Sequence, residues 1–180
     1  MSGLDRIVND MSKIISIKVI KQETEYSCGG AVIRMILSYY DFDKGETESE
    51  ISKLLGTNFG GPNPGTHPDK MLGYLKTCGL NISNGENGSI ELLKYYLNKN
   101  IPVIVLDATW GGHWRIIIGY EGDNIYIADP ARVVEGCKVD LHRDIIIEQV
   151  HEFESKWYED QLFEKKRNKY YIAAHPPDVG

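Results

Sequence analysis

The sequence predicts an α+β domain whose two kinds of element are segregated along the chain. Segments with helical spacing and capping residues crowd the first hundred residues, and β-branched runs joined by turn residues dominate the rest. The two kinds do not alternate, which argues against a parallel sheet built from strand–helix–strand units. A length of 180 residues suits one domain, spanning 1–180 with a core at about 14–174, and is enough to fold without disulfide or metal staples.

The elements follow in order. Residues 14–20, Ile14-Ile15-Ser16-Ile17-Lys18-Val19-Ile20, are rich in β-branched side chains and predict a strand. The stretch from Ala31 to Tyr40 carries only Arg34 and Ser38 as strongly polar members, four apart. A helix with so thin a polar stripe is enclosed by its own domain, so a central buried helix is expected, with Cys28 at its N-terminal end. Thr47-Glu48-Ser49-Glu50 fits a capping box ahead of Ile51, Leu54 and Leu55, and Gly56 ends that helix. Residues 58–65 are dense in glycine and proline and predict a loop. Thr66-His67-Pro68-Asp69 marks a second helix start, leading to Met71, Leu72 and Leu75 and stopping at Gly79. A third helix starts near Ser89, with Ile90, Leu93, Tyr96 and Leu97 on one face.

After residue 100 the period changes. Ile101 to Leu106 predicts a strand with Pro102 at its entry, where a missing N–H is tolerated. Trp114 to Tyr120 and Ile125 to Ala128 flank the turn residues Glu121-Gly122-Asp123-Asn124 and predict an antiparallel hairpin. The segment from Ile145 to Trp157 is expected to enter another helix, with Phe153 and Trp157 four apart, and Lys169 to Ala174 a late strand.

Composition narrows the function classes. The net charge of −6 gives no general pull toward phosphate backbones or anionic lipid, so no nucleic-acid partner is expected. The N-terminus leads into no signal-peptide core, and no apolar run approaches the ~20 residues of a membrane span. Three widely spaced cysteines, Cys28, Cys78 and Cys137, fit a reduced, cytoplasmic chain rather than a disulfide framework. His67, His142, His151 and His175 show no zinc-ligand spacing, so neither a metal nor a cofactor is expected.

The chemistry concentrates at three positions. A thiolate is the reactive form of cysteine, and a helix N-terminus favours the anion. Cys28 is expected there, with Gly29 and Gly30 admitting a close substrate backbone. Taken alone, a lone cysteine is as well explained as a small core residue. A nucleophilic cysteine also needs a base, and the base an orienting partner. His113 enters one strand of the hairpin through Gly111 and Gly112, and Asp129 ends the other just before Pro130. Strands joined by a tight turn bring their far ends together, so the two should be neighbours. That suits a carboxylate accepting the Nδ1 proton of an imidazole whose other nitrogen faces a thiol. Gln22, six residues before Cys28, is placed to offer its amide to an oxyanion beside the Cys28 N–H. Tyr26, Trp110 and Trp114 flank these residues, either as cleft walls or as core aromatics.

The run Gln22-Glu23-Thr24-Glu25-Tyr26-Ser27-Cys28-Gly29-Gly30-Ala31 resembles the Q-x5-C-G-x-A signature of the C39-like cysteine peptidases of the papain-like fold. Gly65-Thr66, the aliphatic strand after His113, the Asp129-Pro130 pair and Glu152-Phe153 followed by Trp157 continue the likeness, which spans roughly residues 15 to 160. The resemblance implies a helical N-terminal half packed on an antiparallel sheet from the C-terminal half. It implies Cys28 as nucleophile, His113 as general base and acid, Asp129 as orienter and Gln22 as oxyanion donor. Gly29, Gly112, Trp110 and Tyr26 would meet a peptide or protein substrate. The best-known relatives remove double-glycine leader peptides and are fused to ABC exporters. This sequence has no G-x4-G-K-[ST] phosphate loop, and Ser27 stands where exporter-linked members carry an acidic residue.

Three functions are compatible with these residues. One is hydrolysis of a peptide bond through a Cys28 acyl-enzyme. Another is acyl transfer to an amine by the same Cys, His and Asp set. The third is a non-catalytic peptide-binding module of the same fold.

Overall fold

The computed structural model describes residues 12–131, 138–140, 144–160 and 165–179; Cys137 with its turn, and His142, lie outside them. The first half holds β1 (Lys13–Ile14), α1 (Cys28–Tyr39), α2 (Glu48–Leu54), α3 (Pro68–Thr77), β2 (Asn81–Gly85) and α4 (Ile90–Asn98). The second holds β3 (Val103–Asp107), β4 (His113–Glu121), β5 (Asn124–Ala128), β6 (Lys138–Asp140), β7 (Ile145–Gln149), α5 (Val150–Lys156), β8 (Tyr158–Glu159), β9 (Arg167–Asn168) and β10 (Tyr171–His175).

The main sheet is antiparallel throughout, in the order β2-β10-β3-β4-β5-β7-β6, and β8 pairs with β9 apart from it. β1 adds to the free half of one β4 edge, opposite Tyr120 and Gly119, beyond the part that β3 occupies. A Cβ on Gly119 would stand 2.4 Å from the Lys13 carbonyl oxygen, so only glycine admits that strand. β4 is central: β3 and β5 flank it, and α1 and α4 pack on it. All of β4 but Glu121 is buried, as is all of β3.

The helices form for the reasons their sequences give. Thr47 Oγ1 accepts from the Glu50 N–H while Glu50 Oε2 accepts from the Thr47 N–H, completing the capping box of α2. α3 starts with Pro68 at its first position, and His67 Nδ1 accepts from the Asp69 N–H. Ser89 caps α4 by accepting from the Leu92 N–H. α1 is the buried centre of the helical half, with Ala31, Val32, Ile33, Met35 and Ile36 fully enclosed. Its close neighbours need glycine. A Cβ on Gly30 would lie 2.0 Å from Ser52 Oγ of α2, and one on Gly29 would lie 2.5 Å from Thr66 Oγ1.

Two expected elements are corrected and one element is new. The strand expected at 14–20 is paired only at Lys13–Ile14, because after Ile15 donates to Ile118 the chain leaves the edge of β4. The helix expected over Ile145 to Trp157 starts only at Val150; Ile145–Gln149 is β7, which completes the ladder of β5. β2, with few apolar residues, was not foreseen; its pairing with β10 makes it an edge strand. Gly29 and Gly30 lie against Thr66 and Ser52, where a Cβ would not fit.

Candidate active site

α1 opens at Cys28 without an ordinary cap. Ser27 makes no capping hydrogen bond to the first turn, and that turn carries no acidic residue. The Ser27 hydroxyl is turned to Thr24 instead, accepting from its N–H at 3.0 Å. The positive end of this twelve-residue helix thus meets a buried sulfur with no acid in its own first turn, while the buried Glu48 carboxylate of α2 comes up to that turn at Gly30.

His113 is delivered by three consecutive residues at positive φ, Trp110 (52°), Gly111 (83°) and Gly112 (130°), which turn the chain sharply from a short 3-10 turn into β4. The register then sets its surroundings. His113 faces Asp107 at the end of β3, and Ile116 faces Ala128 at the end of β5, so Asp129 arrives beside the imidazole. His113 Nε2 donates to Asp129 Oδ1 at 2.8 Å, with both side chains buried. The expected contact is thus present with the ring turned the other way: Nε2 rather than Nδ1 meets the carboxylate. This leaves Nδ1 free to serve Cys28, which lines the same cleft and is near enough to raise the affinity of the ring for a proton. Ala131 N–H donates to the same Oδ1 at 2.8 Å and holds the carboxylate from behind.

The electrostatics favour an imidazolium. Burial works against a charged His113, but hydrogen bonds to Asp129 and Cys28 and their charges outweigh it and push the imidazole up to about 10. Burial likewise opposes a charged Asp129, yet His113, Arg115 and the Ala131 N–H together hold its carboxyl below the usual range.

Cys28 and His113 line one cleft of about 620 Å³ with Gln22, Glu23, Thr24, Glu25, Tyr26, Pro64, Gly65, Trp110, Gly112 and Ala131. Among the residues singled out from sequence, Tyr26, Trp110 and Gly112 are therefore walls of the cleft. Gly29 is buried and does not line it, and Trp114 is a core residue whose Nε1 donates to the Thr66 carbonyl. Trp110 is 62% exposed, with its ring centroid 5.1 Å from that of His113. The Gln22 amide Nε2 donates to the Thr24 and Glu25 carbonyls at 2.8 and 3.3 Å. Glu48 of α2 is buried beneath this loop and accepts from the Glu23 N–H, a support that its sequence context did not reveal.

The largest omission from the sequence reading is Arg115, which lies within 4 Å of Asp107, Asp129 and Glu148. A lone arginine inside a strand that is otherwise apolar was the available signal, since such a residue must find carboxylates when buried. Among the described residues no group of three His, Cys, Asp or Glu side chains could hold a metal ion. Nor is any described helix long and apolar enough to cross a membrane.

Comparison with known proteins identifies the fold and the family. The peptidase domain of Streptococcus ComA, a bi-functional ABC transporter involved in quorum sensing, superposes with a TM-score of 0.64 at 17% identity, over 88% of this chain and 98% of that one. A double glycine motif protease from an AMS/PCAT transporter, crystallised with the leader peptide, gives 0.65 at 18% identity, over 91% and 94%. The lactococcin-G-processing and transport ATP-binding protein LagD of Lactococcus lactis subsp. lactis is 27% identical over 161 residues, 85% of this chain. The chain spans only 19% of LagD's length. The fold is that of C39 peptidase domains, and since the model of the Peptidase_C39 like family matches residues 14–161, the chain belongs to that family.

Proposed function

We propose that this chain is a cysteine peptidase that cleaves a peptide through an acyl-enzyme on Cys28. One observation carries the reading: a cysteine at an uncapped helix start and an imidazole backed by a buried carboxylate line the same cleft. In the proposed cycle the proton of the pair resides on His113 and Cys28 is the thiolate. Sγ attacks the scissile carbonyl carbon, and the carbonyl oxygen takes up the negative charge facing the Cys28 N–H, joined by the Gln22 amide once one of its N–H groups turns from the Thr24 or Glu25 carbonyl. As the C–N bond breaks, His113 gives its proton to the leaving amine. Neutral His113 then takes a proton from water, the hydroxide adds to the thioester, and release of the acid restores the pair. Asp129 keeps the ring oriented and stabilises its charge throughout.

The substrate class is a peptide, walled by Tyr26, Pro64 and Trp110. Because one similar structure holds a leader peptide and one relative processes lactococcin G, double-glycine leader peptides are the first substrates to try. Cys28 and Cys78 are both free thiols, which fits a reducing cytoplasmic setting.

Iodoacetamide at neutral pH should label Cys28 well ahead of Cys78, whose thiol burial pushes up. A peptide aldehyde should form a thiohemiacetal on the wild type and none on Cys28→Ala. Equal labelling of the two thiols together with no adduct would sink the proposal. Product masses with and without an added amine then separate hydrolysis from acyl transfer.

A further inference from the structure

Arg115 follows His113 by two residues on β4, so both side chains leave the strand on the same face. It is 1% exposed. Its guanidinium is gripped from neighbouring strands: Nε donates to Asp107 Oδ2 of β3 at 2.6 Å, and Nη1 donates to Glu148 Oε1 of β7 at 2.7 Å. Lys156 of α5 donates to the same Glu148 oxygen at 3.0 Å. The third carboxylate facing the guanidinium is Asp129, with Oδ2 at 3.8 Å from Nη1. That is too long for a hydrogen bond, and Oδ2 has no hydrogen-bond partner among the described residues. Oδ1, by contrast, accepts from both His113 and Ala131.

We propose that Arg115 is a positioning residue for the Cys28–His113 pair: it stands behind Asp129, keeps that carboxylate ionised with Oδ1 turned to the imidazole, and so sets the acidic end of the pH range in which Cys28 reacts. This rests on the peptidase reading above. The arrangement explains why two further acids are spent on one arginine. An unbalanced cation this near would disfavour the imidazolium, and Asp107 and Glu148 neutralise it while fixing its plane. The groups facing Asp129 and its partner are then His113 and Arg115 from β4, Asp107 from β3, Glu148 from β7, Lys156 from α5 and Cys28 from α1. Lys21 adds a bond from Nζ to the Asp129 backbone carbonyl at 3.1 Å.

The test follows Cys28 alkylation by iodoacetamide from about pH 4 to pH 9, alongside the Asp129 carboxyl titration by carbon NMR. Removing one member of a buried ion cluster can unfold a protein, so Arg115→Met is paired with a charge-balanced double variant, Asp107→Asn/Arg115→Met, which removes one anion with the cation and leaves Glu148 to Lys156. In whichever folds, the acid limb of alkylation and the Asp129 titration should both move up by about one pH unit or more, a tenfold loss of reactivity on that limb. Arg115→Lys should bring the limb most of the way back, although Met fills the space equally well. A folded Met or double variant whose acid limb and Asp129 titration match the wild type overturns the proposal. Should the Asp129 titration shift while wild-type Cys28 reacts no faster than Cys78, the peptidase reading falls and the Arg115–Asp129 coupling stands.

Discussion

The backbone N–H of Gln22 donates to the carbonyl of Pro130 at 2.8 Å, fastening the loop ahead of Cys28 to the residue after Asp129. The segment that would hold the oxyanion donor and the segment that holds the orienting carboxylate are therefore one unit, although the helical and sheet halves of the chain supply them. Lys21 strengthens the tie through Asp129's own carbonyl.

Gln22→Ala separates the two duties of that loop. If the Gln22 amide stabilises an oxyanion, the variant loses about 10²–10³ in peptidase kcat. Displacement of iodide by a thiolate builds no oxyanion, so Cys28 alkylation should stay within about twofold of the wild type. A parallel fall in both rates would show that Gln22 acts only by bracing the loop, through its bonds to Thr24 and Glu25.

The buried His113–Asp129 pair also shapes stability against pH. His113 is pushed up to about 10, above the ordinary ~6.5. Its contribution is fully present below about pH 6.5 and is lost as pH rises through 10. Asp129 is held below the ordinary range, so its contribution is present above about pH 3.9 and is lost as pH falls through the lower folded value. Urea midpoints should fall between about pH 6 and pH 10 in the wild type and fall less in His113→Gln. Equal slopes in the two proteins would contradict the assigned charge on His113.

The legible parts of this protein were those governed by local chemistry. The Thr47–Glu50 box, the Pro68 and Ser89 starts and the hairpin closed at Gly122 each follow from a few adjacent residues, and the hairpin alone brought His113 and Asp129 together. What stayed hidden depends on distant partners. Ile145–Gln149 has no intrinsic signal that separates a buried strand from a helix turn; β5 decides it. The ring orientation of His113 depends on where α1 carries the sulfur, and Arg115 became interpretable only once β3 and β7 flanked it with acids. The glycines after Cys28 looked like room for substrate because sequence alone does not show that α2 and the Thr66 segment already occupy that space.

Gly30→Ala tests that last point directly. A Cβ at this position meets Ser52 Oγ at 2.0 Å and Glu48 Oε1 at 3.0 Å. Overpacking of this kind costs about 1–3 kcal/mol, against the roughly 1 kcal/mol that alanine gains over glycine within a helix. In a Ser52→Ala background the nearest clash is gone while Glu48 Oε1 at 3.0 Å and the Glu48 carbonyl at 3.1 Å remain, so the same substitution should cost less than it does beside Ser52. A double-mutant cycle by urea denaturation should return a coupling of about 1–2 kcal/mol. Additive effects would mean that α1 and α2 separate freely and that the glycine has another purpose.

Trp110 offers a change in binding that can be told apart from a change in folding. Its side chain is 62% exposed and lines the cleft, yet its backbone holds φ at 52°, a region that costs a non-glycine residue roughly 1 kcal/mol. Both Trp110→Ala and Trp110→Gly remove the aromatic wall, so both should raise KM for a peptide substrate by similar factors. Only the glycine variant relieves the left-handed backbone, and it should be more stable than the alanine variant by about 0.5–1 kcal/mol in urea. If KM instead follows stability across the two variants, Trp110 acts through the turn that delivers His113, and the contact with substrate is not needed to explain it.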